Sequence, residues 1–374
     1  ATTEIYTLSL HDALPICTVL TLDAGGTNFV FSAIRGNEQI VEPVCMPSVS
    51  DDLKRCLDTL IAGFDGVVSQ LDVSPVAISV AFPGPADYKY GVIGGNIPNF
   101  PSFRNGVALG PFLQHHYHVP VFMENDGNLF AYGEALSGML PKVNAMLEEA
   151  GSRRRYKNLL GVTLGTGFGA GVVIDGRLLT GDNGCGGDVW LMHNKKYPLM
   201  ISEESVSVRA VKRVYRERSG QSDSSLTPKD IYDIAEGTRD GNRDAAVASF
   251  SELGEIAGHA VASALNIVDG LVVIGGGLAG ASRYILPAMI KELRTSLSMF
   301  SGERFPCVQM DVYNWEDESD RKHFLSLQDD ETVIPDTTVK VSYNKSKCIA
   351  VMCSHDGASV SIMRGAYAYA LSQM

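Results

Sequence analysis

Thr18–Gly36, TVLTLDAGGTNFVFSAIRG, decides the reading of this chain, because it sets an acid and several small polar residues at the tip of an apolar hairpin. Val19, Leu20 and Leu22 read as a buried strand, and Phe29, Val30 and Phe31 as its partner. Between them Asp23, Ala24, Gly25, Gly26, Thr27 and Asn28 offer backbone N–H groups, two of them without a Cβ in the way, beside a carboxylate. Such a turn suits a phosphate and its metal ion.

The design recurs in Leu159–Leu178, LLGVTLGTGFGAGVVIDGRL, where an apolar strand runs into Gly165, Thr166 and Gly167 and a second strand, Ala170–Ile174, leaves. Either turn alone is a weak signal. The pair suggests two related halves facing each other across a cleft, each offering a backbone nest to one polyphosphate.

At 374 residues the chain is too long for one ordinary core, so two domains are expected. With 45% hydrophobic and 20% charged residues it is a globular protein rather than a disordered or fibrous one. No apolar run approaches the roughly 18 residues of a membrane span. The net charge of −12 argues against nucleic-acid binding, which needs a basic face. Seven cysteines without CxxC spacing indicate neither a disulfide framework nor structural zinc, and fit a reducing cytoplasm. Residues 1–16, ATTEIYTLSLHDALPI, lack the basic start and apolar core of a signal peptide and read as a non-native extension.

Along the chain, Gln39–Met46 reads as a third strand, Leu53–Leu71 as a helix capped by Ser50-Asp51-Asp52, and Pro75–Phe82 as a buried strand ending in Pro83-Gly84-Pro85. This is parallel α/β alternation, whose ligands lie outside the carboxyl ends of the strands. In the loop Gly94–Phe103, Asn96 and Asn99 suit the hydroxyls of a polyol, or merely close Asx turns. The histidines 115, 116 and 118 read as a solvated helix end. Val119–Met123 runs into Glu124-Asn125-Asp126-Gly127-Asn128, where Asp126 is either a substrate-facing acid or a helix N-cap.

Pro141–Lys157, with Arg153, Arg154 and Arg155, reads as an exposed connection. Helices are expected over Glu203–Arg218, Pro228–Glu236 and Arg243–Asp269, the last packed between two domains. The strand Leu271–Ile274 leads into Gly275, Gly276 and Gly277 and a helix over Arg283–Met299. Phe305–Lys347 reads as an irregular, acidic surface insertion.

Gly275-x-Gly277-x-x-Gly280 satisfies a dinucleotide fingerprint, so a nicotinamide-dependent dehydrogenase is a rival reading; it leaves both earlier glycine turns unexplained. A P-loop is excluded, since no glycine-rich turn precedes Lys-Ser or Lys-Thr. Two phosphate turns, a third glycine turn for a nucleoside and an acid at Asp126 compose an ATP site in which Asp126 accepts a hydroxyl proton.

LDAGGTN, PGPAD, NIPNF, ENDGNLFAYGE, LGTGFGAGVVIDG, GGG and DGASVSIMRGAYAYA together resemble the ROK (repressor, open reading frame, kinase) sugar kinases, from about Thr18 to the C-terminus. The resemblance implies an α/β, two-domain actin-like ATPase (ribonuclease H-like) fold with a ligand cleft between the domains. Residues 17–130 would form one domain, joined by the helix 357–374, and 131–356 the other, with the insertion near 305–347. It implies ATP and Mg2+, with Asp126 as catalytic base, Asn125 and Asn99 on the sugar, and Asp23 acting on magnesium through water. It also implies a small sugar as partner and a homo-oligomer, taken as a dimer.

The chain departs from the family pattern where Gly-Glu-Ile-Gly-His is expected: it reads Gly187-Asp188-Val189-Trp190-Leu191. Asp188 can still accept from a hydroxyl, but Leu191 cannot replace an imidazole. The family's cysteine-rich zinc motif is missing, so no zinc site is expected, and His193 stands there alone. A further sugar-binding glutamate matches Glu203, with Ser207 four residues on, or Glu204 in another register. Hexose or N-acylhexosamine phosphorylation is the leading expectation, with glucose as default; a catalytically weak sugar-sensing protein is the alternative.

Overall fold

The computed structural model describes residues 17–97, 99–221 and 225–374, so the reading of residues 1–16 lies outside it. The chain divides into two compact units, 1–129 with 362–374, and 130–361.

In the first unit β1 (Val19–Ala24) and β2 (Asn28–Arg35) form the antiparallel hairpin. β3 (Glu38–Gln39) and β4 (Val44–Pro47) both pair with β2. The expected single strand over Gln39–Met46 is therefore broken; Pro43, which has no N–H for a ladder, stands in the gap. α1 (Leu53–Val68) starts at Asp52, whose Oδ1 accepts from Arg55 N at 3.1 Å, and buries Cys56, Leu60, Phe64 and Val67. β5 (Ala77–Ala81) runs parallel to β1, β6 (Ala86–Asp87) and β7 (Val92–Ile93) make a short ribbon, and α2 (Leu109–Tyr117) leads to β8 (Val121–Glu124), parallel to β5. The sheet order is β3-β2-β1-β5-β8, with β4 also on β2. The unit boundary then falls within α3 (Asp126–Leu136).

The second unit repeats this plan. After α4 (Met139–Glu149), β9 (Leu159–Leu164) and β10 (Phe168–Ile174) form an antiparallel hairpin edged by β11 (Arg177–Leu178). α5 (Val208–Ser219), α6 (Pro228–Glu236) and α7 (Arg243–Val268) precede β12 (Leu271–Gly275) and α8 (Ser282–Leu293). The ribbon β13 (Ser296–Ser298) and β14 (Arg304–Pro306), then β15 (Asp311–Asn314), α9 (Glu318–Ser326), the ribbon β16 (Asp330–Val333) and β17 (Lys340–Tyr343), β18 (Cys348–Cys353) and α10 (Ala358–Gln373) complete the chain. The sheet order is β11-β10-β9-β12-β18-β15, with β9, β12, β18 and β15 parallel to their neighbours in turn.

Several expectations change. Pro141–Lys157 is not an exposed connection: α4 buries Met139, Leu140, Val143 and Leu147, and Arg154 is 8% exposed, donating to Cys348 Sγ at 2.6 Å and Asn344 Oδ1 at 2.8 Å. The helix expected from Glu203 begins at Val208, because Ser207 caps it by accepting from Ala210 N; Ser202–Glu204 is a separate 3-10 turn. α7 packs on α5, α6 and α8 within the second unit. α8 stops at Leu293, where β13 begins the turn back. The region 305–347 is largely regular: β15 is an integral edge strand, and Val312, Trp315 and Phe324 are buried. Its acids hid this, but several are structural. Asp317 caps α9, and Asp320 Oδ2 accepts from Arg294 Nη2 at 2.6 Å and Asn314 N at 2.8 Å.

α7 and α8 touch at backbone distance. A Cβ on Gly254 would lie 2.2 Å from Ile285 O, and one on Gly258 would lie 2.9 Å from Met289 O. Main-chain atoms cannot rotate away, so overpacking here outweighs the helix propensity that alanine adds. Gly254→Ala is expected to lower unfolding stability by about 1–3 kcal/mol, read by chemical denaturation.

Candidate functional site

Parallel pairing puts Asp23 opposite Ala81 and Ala81 opposite Glu124, one row across the carboxyl end of the first sheet. At one strand spacing per step, the α-carbons of Asp23 and Glu124 stand about 10 Å apart. Asp126 follows two residues later, so both acids occupy the edge where α/β sheets hold ligands.

The first glycine turn is held from below. Buried Ser48 donates from its N–H to Thr27 O at 3.0 Å and from its hydroxyl to Gly26 O at 2.8 Å. Both carbonyls are thereby occupied, which leaves the amides as the turn's remaining polar edge. A Cβ on Gly26 would come within 2.9 Å of Asn99 Cβ, and one on Gly25 within 2.8 Å of Asn28 O. The turn packs this closely against Asn28 and Asn99 only because both are glycine. Asn99, Gly26, Thr27 and Asn28 are exposed and Asp23 is half-buried. Clustered amides beside a carboxylate fit a phosphate with a hard, oxygen-seeking cation, so the residues present suit Mg2+ at Asp23.

At the end of β8 the structure separates two roles. Asn125 Oδ1 accepts from Gly127 N at 2.9 Å and Asn128 N at 3.4 Å, so Asn125 is the cap of α3 and Asp126 stands at its first turn. Asn125 Nδ2 donates to Tyr88 OH at 3.3 Å, and Tyr88 OH donates to Phe82 O at 2.9 Å. Much of the hydrogen-bonding capacity of Asn125 is therefore used locally. Asp126 is half-buried; loss of solvent pushes its carboxyl above the usual carboxylate range, opposed by the N–H of Gly127. Glu124, 2% exposed, accepts from Asn125 N at 2.8 Å, from Asn128 Nδ2 at 3.0 Å and from the Tyr369 hydroxyl, while burial raises its carboxyl.

In the second unit the other glycine turn is held by different means. Glu203 Oε2 accepts from Phe168 N at 3.0 Å and would meet a Cβ on Gly167 at 2.5 Å; its Oε1 accepts from Arg209 Nη2 at 3.0 Å. Val208 N donates to Gly165 O at 2.9 Å, and Thr166 is exposed at the tip. Gly275 pairs with Thr163 across the sheet, and Gly276, at φ +90°, would place a Cβ 2.4 Å from Leu164 O. Gly165, Thr166, Gly167, Glu203, Gly275, Gly276 and Gly277 are thus one neighbourhood. Asp188 lies on the exposed segment before it. Partial shielding raises its carboxyl, and a hydrogen bond from Trp190 opposes that. Leu191 is exposed, and His193 Nδ1 lies 3.4 Å from Pro198 O. Among the described residues no three His, Cys, Asp or Glu side chains are grouped as metal ligands.

Ser48, Tyr88, Glu124 and Arg209 were not anticipated. Glu124 sat inside the ENDGN stretch and was passable as a site residue; the other three carried no local signal.

Two α/β units, each an antiparallel hairpin with a glycine turn feeding parallel strands, make the two-domain actin-like ATPase fold. A crystal structure of glucokinase from Parabacteroides distasonis is similar at 57% identity and TM-score 0.84, covering 96% of this chain and 98% of that one. The ROK family glucokinase from Streptomyces griseus, solved with glucose and AMPPNP, shares the fold at 18% identity and TM-score 0.62, covering 94% and 98%. The glucokinase of Thermotoga maritima is 27% identical over 293 residues, 73% of this chain and 86% of its own length. The model described as ROK family matches residues 19–319. The chain belongs to the ROK family.

Asp126 offers a test in stability alone. Its folded-state affinity for a proton exceeds the unfolded one, so ionisation costs stability as pH rises through the folded pKa. Asp126→Asn is expected to be more stable than the parent at pH 7 by about 1 kcal/mol, as relief of a functional-site cost. The difference should vanish near pH 3, below the ordinary carboxylate range, in paired urea titrations.

Proposed function

We propose that this protein transfers the terminal phosphoryl group of ATP to a hydroxyl of a hexose or N-acylhexosamine, with glucose as the first acceptor to try. The relationship to glucokinases supports the reaction class, and the row Asp23–Ala81–Glu124 is the observation that supports its residues. Both glycine turns, Gly25–Thr27 and Gly165–Gly167, are assigned to the triphosphate, and Gly275–Gly277 to the nucleoside.

Phosphoryl transfer needs alignment, charge neutralisation and somewhere for the hydroxyl proton to go. The acceptor oxygen bonds to phosphorus, the bond to the β-phosphate oxygen breaks, ADP leaves, and the proton passes to an Asp126 Oδ. A carboxylate made more basic by burial is better matched to that task at neutral pH. Glu124 fixes the turn that carries Asp126, and the cap supplied by Asn125 fixes where α3 begins. Asp23 would hold Mg2+ through its waters, and the ion would supply neutralisation of phosphate charge. Asn99, Asn125, Asp188 and Glu203 are assigned to the sugar, the last also bracing the phosphate turn. The protein works in the cytoplasm, where ATP is, and as a homodimer.

The dinucleotide reading fits poorly. In that fingerprint the third glycine permits close helix–strand packing. Here a Cβ on Gly277 or Gly280 would meet nothing within 4 Å among the described residues.

A coupled ADP-release assay over a hexose panel tests the proposal. Asp126→Asn is expected to lose about 10²–10⁴ in kcat while calorimetry still shows sugar binding. Sugar binding with no ADP release from any acceptor would favour a sensor instead.

A further inference from the structure

The segment from Asp188 to Glu203 has little regular structure, two 3-10 turns at Val189–Leu191 and Ser202–Glu204 and a single antiparallel bridge between His193 and Ile201, yet it is closed on itself. Asn194, 1% exposed, accepts the N–H groups of Lys196 and Tyr197 on Oδ1, both at 3.0 Å, and donates from Nδ2 to Ser205 Oγ at 2.8 Å. Ser202 donates to Met192 O from its N–H at 2.8 Å and from its hydroxyl at 2.9 Å.

Two lysines leave this turn for the helices behind it. Lys195 Nζ lies 2.6 Å from Glu292 Oε2 of α8 and 3.4 Å from Glu255 Oε1 of α7, and Lys196 Nζ pairs with Glu252 of α7. The Glu292 and Glu252 side chains are only 9% and 4% exposed, whereas each lysine is 40% exposed. Carboxylates that deep are costly without partners, so these pairs differ from ordinary surface salt bridges. Glu252 has two more cations, Arg218 at 3.5 Å and Arg213 at 3.8 Å. Arg213 also lies over the Tyr197 ring at 5.3 Å and donates to its hydroxyl at 3.4 Å.

We propose that Lys195 and Lys196 are positioning residues for the acceptor. Their pairs with Glu292 and Glu252 hold the Asp188–Glu203 segment in the one arrangement that presents Asp188 to the sugar. A segment with so few ladder bonds opens at low free energy unless something outside it holds it shut. The two lysines hold it from the side, touching neither substrate. The proposal rests on the sugar-kinase reading, and the exchange measurement below does not.

The test uses the full chain carrying Lys195→Met and Lys196→Met together, with Lys195→Arg/Lys196→Arg as the conservative pair. Glu252 keeps Arg213 and Arg218, so the Met variant retains a partner for that buried charge. The expected result is a sugar KM raised about tenfold, with kcat and the ATP KM within about twofold of the parent. Amide exchange across 191–202 should quicken together with the KM change, and the arginine pair should restore both. Unchanged exchange across 191–202, or sugar and ATP KM rising together, would overturn the proposal. If the parent turns over no sugar, the kinase reading has failed, and the exchange comparison alone decides whether the lysines hold the segment.

Discussion

The first unit depends on register. Once β1, β5 and β8 pair in parallel with Asp23, Ala81 and Glu124 in one row, an acid from the opening hairpin and an acid about a hundred residues later share one sheet edge. A slip by one residue would turn every side chain of a strand to the other face, and the apolar core forbids that. Leu20, Leu22, Ile78, Val80 and Met123 are all within 2% of full burial, so the hydrophobic pattern locks that row.

Around that row the polar groups divide their labour. Among the described residues no cation pairs with buried Glu124, whose carboxyl accepts from neutral donors on Asn125, Asn128 and Tyr369. Such an arrangement is expensive, and its return is a fixed backbone turn. Asn125 takes the capping role and shares the Gly127 N–H with Asp126 Oδ1. Asp126 then sits at the positive end of α3, where an anion is favoured, against the desolvation that disfavours it. Desolvation wins, and the carboxyl is left more basic than usual.

The two glycine turns share a plan and differ in support. Ser48, a neutral and buried side chain, pins the carbonyls of the first. Glu203, a carboxylate steadied by Arg209, takes the N–H of Phe168 beside the second. Arg209, which also pairs with Glu204 at 2.7 Å, spreads the charge of that carboxylate. The same α5 that carries Arg209 carries Arg213 one turn later, so one helix face braces both ends of the Tyr197–Glu204 stretch.

What the sequence determined by itself was local and periodic. The apolar hairpins, their glycine tips, the start of α6 at Pro228 and the two-domain kinase family were all legible, because each is written in consecutive residues. The partners of those tips were decided by tertiary structure. Ser48 meets Gly26 from 22 positions away, Glu203 meets Phe168 from 35, and Arg154 reaches Cys348 from 194. The same distance in sequence explains the misread 305–347 stretch. Its acids looked like a solvated excursion, and only the pairing of β15 with β18 shows that Val312 belongs to the core. Short-range pattern fixes which element forms, whereas burial and pairing depend on which surface the folded chain brings alongside, and no residue encodes that alone.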